Sequence, residues 1–191
     1  MMRSRLKLPY FVGLLLFFLI LMIGPLLVNG RMASATKEIK VGYTQEQLIQ
    51  SIGPEVKPLA EYYGVSPSVL IGQILLDTKD GKTLLAAKYH NLFNKEAAVG
   101  QAAITLKSPK QNNRKIRYAV YKDRESAIRD YLSMLSQGNI ADKGLYRSLA
   151  TEKGYKIPAQ SLQDYLHPDD KTYAKRLIQV IEDKNLTSYD Q

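Results

Sequence analysis

The chain has 191 residues, with 27 Lys plus Arg against 18 Asp plus Glu, two His and no Cys, and a formal net charge of +9. The length fits one domain or at most two. Without Cys there is no disulfide framework, thiolate nucleophile or Cys-ligated metal, so any chemistry falls to carboxylates, hydroxyls, Tyr, Lys or the two His. A charge of +9 argues for nucleic acid only if it sits on the folded part.

Part of it does not. Leu8–Val28 is an uncharged apolar run of 21 residues, preceded by Arg3, Arg5 and Lys7. That length is enough to cross a bilayer, and the basic flank keeps the N-terminus in the cytoplasm. Residues 1–7 are therefore read as cytoplasmic, 8–28 as a transmembrane signal-anchor and 29–43 as a tether. Ala33-Ser34-Ala35 has the small-x-small form of a signal-peptidase site. The chain is thus expected in the cell membrane, single-pass with its C-terminal domain outside the cell, or secreted after cleavage near Ala35. The apolar run exceeds a typical cleaved signal, which favours the anchor. Either way genomic DNA is out of reach, and no nucleic acid partner is expected. Beyond residue 35 the net charge is +5, and a chain of that length buries about 70% of its unfolded surface in a single core.

Thr44 and Gln47 form a capping box that opens a helix carrying Leu48, Ile49 and Ile52. Gly53-Pro54 is expected to kink or end it, with a second helical stretch over 55–63 stopped by Gly64. Ser66-Pro67 starts the next helix, Pro67–Thr78, apolar nearly all round and so expected in the middle of the core. Its polar exceptions, Gln73 and Asp77, lie four apart and share one face, a stripe that should line something wet. Asp80-Gly81 ends this helix, and a short one over 83–89 leads into His90-Asn91-Leu92-Phe93. Ile104-Thr105-Leu106 and residues 116–121 read as two strands joined by a polar linker over 107–115. Asp123 caps a helix with Ile128, Tyr131, Leu132 and Leu135 on one face. After a Gly-containing loop come a short helix over 158–165 and a final one over 170–184, with Tyr173, Leu177, Val180 and Ile181 inward. The expected class is α+β, mostly α, with one small β-hairpin lobe.

The order of these segments resembles the bacterial cell-wall glucosaminidases of glycoside hydrolase family 73, a lysozyme-like group that cuts peptidoglycan. Tyr63-Gly64-Val65-Ser66-Pro67-Ser68-Val69 is similar to the family's Tyr-Gly-Ile-x-Pro-Ser-Val. Gly72-Gln73-Ile74-Leu75-Leu76-Asp77-Thr78 is similar to its Ala-Gln-Ala-Ile-Leu-Glu-Ser, and His90-Asn91-Leu92-Phe93-Asn94 to Asn-Asn-Leu-Phe-Gly. Tyr118 to Ser126 with Tyr131, then Asp164-Tyr165, Tyr173-Ala174-Lys175-Arg176-Leu177 and Asn185-Leu186, resemble later segments in the same order. The likeness covers residues 44–190, the expected glucosaminidase-like domain.

The resemblance implies a peptidoglycan hydrolase, an endo-β-N-acetylglucosaminidase cutting the GlcNAc-β-1,4-MurNAc bond, with a lysozyme-like helical domain and no cofactor or metal. Asp77 stands where the family has its general-acid Glu. Asp is one methylene shorter, about 1.5 Å of reach, and misplacement on that scale costs on the order of 100-fold in rate. Asp80, three residues on, is placed to repel Asp77 and raise its pKa. The family usually draws a second glutamate from the hairpin lobe. Here residues 97–122 carry six basic residues and no acid; Glu96 and Glu125 flank the gap, and Glu125 fits the first turn of the following helix. Gln73, Tyr89, Asn91, Phe93, Tyr121 and Tyr165 are the expected substrate-binding residues, Tyr165 matching a cleft tyrosine of the family. His90 and His167 read as ordinary surface or hydrogen-bonded histidines, since no pair has metal spacing. The alternative function is a catalytically weakened relative that binds glycan strands or acts as a scaffold at the membrane. Peptidoglycan glycan strands are the expected partner, with the basic lobe facing an anionic wall polymer or other wall enzymes.

Overall fold

The computed structural model describes residues 8–28, 32–138 and 143–191, with side chains over 8–23 only in the first stretch. The expected cytoplasmic residues Arg3, Arg5 and Lys7, residues 29–31 of the expected tether, and 139–142 of the Gly-containing loop lie outside the described residues. The chain divides into two units, Met1–Ala33 and Ser34–Gln191.

In the first unit, α1 (Leu8–Val28) carries no charged residue. Its described side chains are exposed on every side, among them Leu14, Phe17, Phe18 and Leu21. Over the residues whose side chains are described, which in α1 run from 8 to 23, no helix is long and apolar enough to cross a membrane.

The second unit contains α2 (Gln45–Tyr62), α3 (Pro67–Thr78), α4 (Leu84–Tyr89), β1 (Ala103–Ser108), β2 (Arg114–Ala119), α5 (Arg124–Ser136), α6 (Lys143–Thr151), α7 (Lys156–Leu166), α8 (Tyr173–Asp183) and a closing 3₁₀ turn, Leu186–Asp190. It is the expected mostly helical domain with one hairpin. At its centre lies α3, buried continuously from Pro67 to Leu75 and packed against α2, α8 and the closing turn. Gly72 makes the α8 contact possible, because a Cβ there would fall 2.8 Å from Leu177 Cδ1.

Both ends of α3 are fixed by distant chain. Ser66 makes no side-chain cap. Instead Asp190 accepts from the Ser68 amide at 2.8 Å and the Ser68 hydroxyl at 2.7 Å, a carboxylate placed where the helix dipole and the unpaired amides favour it. At the other end Lys79, Asp80 and Gly81 all have positive φ. The Gly81 amide donates to Thr78 Oγ1 at 2.7 Å, so the chain turns sharply away directly after Asp77.

Four features differ from the sequence reading. First, α2 runs unbroken through Gly53, Pro54 and Pro58. Both prolines lie on the exposed side, where water satisfies the carbonyls they free, while Ile52, Val56 and Leu59 hold the other face in the core. Gly53 instead makes room for the Tyr189 ring. Second, the strands reach into the expected linker, pairing Ala103 with Ala119 through Ser108 with Arg114. Leu106, Ile116 and Tyr118 are buried on the inner face, leaving Lys107 directly opposite Lys115 on the outer one. Third, α6 occupies chain with no assigned element; Leu145 and Leu149, four apart and buried, hold it to the core. Fourth, residues 34–39 of the expected tether are part of the domain. Ala35 is 1% exposed, its amide donates to Lys107 O at 2.9 Å, and Leu84 and Ile39 amides pair with Lys37 and Lys82 carbonyls. This segment ties the hairpin to the turn after α3.

Asp190→Ala removes the surrogate cap of α3 and is expected to cost about 1–2 kcal/mol. Urea denaturation checks this, with Asp190→Asn losing less because its side-chain oxygen still accepts.

Candidate active site

Asp77 sits in the last turn of α3 with its side chain 7% exposed. Three elements meet its oxygens. Gln73, one turn back, places Nε2 3.5 Å from Oδ2. Tyr173, on the first turn of α8, donates its hydroxyl to Oδ1 at 3.3 Å. His167, after α7, holds Nε2 3.7 Å from Oδ1. The Asp77 carbonyl accepts from Asn94 Nδ2 at 3.4 Å.

These groups are themselves held. Gln73 is 1% exposed; its Nε2 donates to the Tyr131 hydroxyl at 3.0 Å, and that hydroxyl donates to Gln73 Oε1 at 3.2 Å. Phe93 stacks on Tyr131 with ring centres 3.9 Å apart, and His167 stacks on Tyr173 at 3.7 Å. Burial therefore falls on a carboxyl whose polar partners are in place, and each partner is braced by an aromatic face.

Burial pushes the Asp77 pKa up to about 6, against the opposing pull of the Lys110 charge, the Gln73 and Tyr173 hydrogen bonds and the Arg176 charge. Asp80 takes no part in this, correcting the expectation: its oxygens meet Gln45 Nε2 at 2.6 Å and Lys82 Nζ at 3.4 Å. Burial, helped by the charge of Lys110, lowers His167 to about 4. His167 is thus neutral at ordinary pH, and its approach to Asp77 is a polar contact rather than an ion pair.

Asp77 separates two cavities. One, of about 220 Å³, is lined by Gln73, Phe93, Asn94, Lys110, Tyr131 and His167 among others. The other, of about 170 Å³, includes Thr36, Lys79, Thr83, Tyr173 and Arg176. A third, of about 430 Å³, continues outward past Lys110, Gln111, His167 and Pro168. Together they form a cleft with a protonatable acid on its floor, the requirement for protonating a leaving oxygen.

Of the residues expected from sequence, Asp77, Gln73 and Phe93 meet in this cleft, and the other four do not line these cavities. Asn91 is 1% exposed, its amide donating to Lys95 O and Ala119 O and its oxygen accepting from Lys95 N. It fixes the turn that carries Phe93. Tyr121 is buried with its hydroxyl on Asp130 Oδ2 at 2.6 Å. Tyr89 is half-buried and contributes its carbonyl to the Tyr121 amide. Tyr165 packs against the main core; the tyrosine that reaches Asp77 is Tyr173. Sequence reasoning placed Tyr131 and Tyr173 at inward helical positions without seeing that both end at the acid, and set His167 aside. Their signal was present as polar-tipped rings on otherwise apolar faces.

No second carboxylate comes from the hairpin. Glu125 pairs with Arg129 at 2.8 Å in the first turn of α5. Glu96 is exposed and accepts from Gln111 Nε2 at 3.1 Å. The hairpin tip, a 3₁₀ turn over Pro109–Gln111, brings Lys110 to the cleft instead.

Fold and site together define a lysozyme-like helical domain with a buried acid on the floor of its cleft. The same fold appears in the catalytic domain of the autolysin Auto from Listeria monocytogenes, with a TM-score of 0.69 and 27% identity over 80% of this chain and 91% of that one. The chain belongs to the Glucosaminidase family, mannosyl-glycoprotein endo-beta-N-acetylglucosaminidase, whose profile matches residues 53–186. It is 25% identical over 187 residues to the exo-glucosaminidase LytG of Bacillus subtilis (strain 168), covering 92% of this chain and 66% of that protein. To a probable N-acetylmuramidase of Lactococcus lactis subsp. cremoris it is 26% identical over 159 residues, covering 77% and 35% respectively. The chain thus spans just under two thirds of the first relative and about a third of the second.

Because burial raises the folded pKa of Asp77 above its unfolded value, the native state holds the proton more tightly. Stability from this group is full below the unfolded pKa of 3.8 and is lost as pH rises through about 6. Asp77→Asn is therefore expected to gain about 2 kcal/mol relative to wild type between pH 4 and pH 7.5, read from denaturation midpoints at the two pH values.

Proposed function

We propose that the chain is a peptidoglycan hydrolase, an endo-β-N-acetylglucosaminidase cutting the GlcNAc-β-1,4-MurNAc bond, held by α1 at the outer face of the cell membrane. The observation that carries the reading is the Asp77 carboxyl, buried on the cleft floor with its pKa raised to about 6, at the position of the family's acid. Protonated, it donates to the glycosidic oxygen as the C1–O bond breaks.

Glycosidases need a second group on the far side of the scissile bond, a carboxylate or the substrate's own acetamido group. With Lys110 at the hairpin tip, the acetamido carbonyl is the group that closes on C1 here. Water then opens the resulting ring and returns a proton to Asp77. Tyr173 and Gln73 hold the carboxylate that forms between the two steps.

A weakened, glycan-binding relative is the second reading. It is favoured by the shorter Asp77 and by the absence of a hairpin carboxylate. The anchoring part of this reading is supported by an uncharged helix exposed on every described side, a surface that water disfavours and lipid accepts. Anionic wall polymers suit the outer hairpin face, where Lys107, Lys115 and Arg117 have no carboxylate partner among the described residues.

Purified protein incubated with peptidoglycan is expected to release products ending in GlcNAc, seen by mass spectrometry. Asp77→Asn should lower the rate at least 100-fold, and wild-type kcat should fall as pH rises through about 6, where Asp77 loses its proton. A wild type without products that still sediments with peptidoglycan supports the binding reading. Retention in the membrane fraction after a carbonate wash checks the anchor, and a mature chain starting at Thr36 refutes it.

A further inference from the structure

Among the described residues, four cations line the cleft: Lys79, Lys95, Lys110 and Arg176. Three are neutralised. Lys79 Nζ lies 2.6 Å from Glu38 Oε1, Lys95 pairs with Asp130 and Arg176 with Asp170. Lys110 has no carboxylate within ion-pair distance among the described residues. Its recorded polar contact is His167 Nδ1 at 3.3 Å, on a ring that stays neutral. Asp169 and Asp170 line the outer cavity with it; Asp170 is taken by Arg176, and among the described residues neither pairs with Lys110.

Lys110 is also the point where all three cavities meet, since it lines each of them with His167. The backbone fixes its place. The tip is closed by the Asn113 amide on Ser108 O at 2.9 Å, and β1 is tied to Ala35 through the Lys107 carbonyl. An unpaired ammonium held over a cleft, beside an acid that must keep its proton, is suited to an anion brought by the ligand.

We propose that Lys110 forms a carboxylate subsite of this cleft, recognising the acid carried by the N-acetylmuramic residue of the glycan. This rests on the glycan reading above and adds a substrate preference to it. GlcNAc is uncharged. The muramic residue bears a lactyl group that ends in a free carboxylate when the stem peptide is absent; when the peptide is present, the carboxylates are the peptide's. The hairpin carries Lys110 at its tip and no acid, so the lobe reads substrate charge instead of supplying a second catalytic group.

The test is equilibrium binding by calorimetry, with the full chain in detergent and Asp77→Asn to prevent turnover. Three GlcNAc-MurNAc tetrasaccharides are compared: free lactyl acid, lactyl methylamide and peptide-bearing. The free acid is expected to bind about tenfold more tightly than the methylamide, with the ratio shrinking as salt rises. Lys110→Gln should bring the ratio close to one, and Lys110→Arg should keep most of it. If the peptide-bearing form also beats the methylamide, the subsite accepts either carboxylate source; if it does not, the lactyl acid is the ligand. Equal affinity for acid and methylamide, or a preference that survives Lys110→Gln, overturns the subsite while leaving the glycan reading intact. Failure to bind any of the three, the uncharged methylamide included, overturns both.

Discussion

Keeping one carboxyl out of water sets the terms for much of this domain. A buried carboxylate without partners is strongly disfavoured, and Asp77 is accommodated by hydrogen-bond donors from its own helix and from α8, with the α7 end closing over it. Each donor needs its own bracing, which the Phe93–Tyr131 and His167–Tyr173 stacks supply. The acid is in turn precise only because α3 is immobilised along its length and at both ends. Placement of the Asp77 carboxyl and packing of the core are here one problem.

The ends of α3 are held by parts of the chain that are remote in sequence. Asp190 caps one end from 122 residues away, and Tyr189 fills the space left by Gly53. At the other end, residues 34–39 bind both the turn after α3 and the hairpin. The outer wall of the cleft therefore depends on the segment that follows α1. A hairpin with Lys107 facing Lys115 carries an electrostatic cost, which burial of Leu106, Ile116 and Tyr118 beneath it offsets.

Much of the fold was legible because its signals are local. The Thr44 capping box is formed, with Gln47 returning its bond at 2.8 Å. Asp123 caps α5 through the Ser126 amide at 2.8 Å. The all-round apolar pattern of α3 put it in the core correctly, and its polar pair Gln73 and Asp77 does face a cleft. The misses have one origin. Pro54 reads as a break unless the opposite face is known to be buried, and residues 34–39 read as a tether unless the strand they pair with is known. Tyr165 was preferred to Tyr173 because a motif match carries no direction, and Asn91 looked like a ligand group although backbone consumes its whole amide.

By itself the sequence determined the type of most elements, the central helix, the polar pair Gln73 and Asp77 on its face and the uneven charge, since periodicity, capping and composition act over a few residues at a time. Only the tertiary structure decided which tyrosine meets Asp77, that burial raises its pKa to about 6, and that among the described residues the cleft cation without a carboxylate partner is Lys110. Those outcomes depend on distances between residues far apart in the chain, such as Asp77 and Tyr173, which no local pattern encodes.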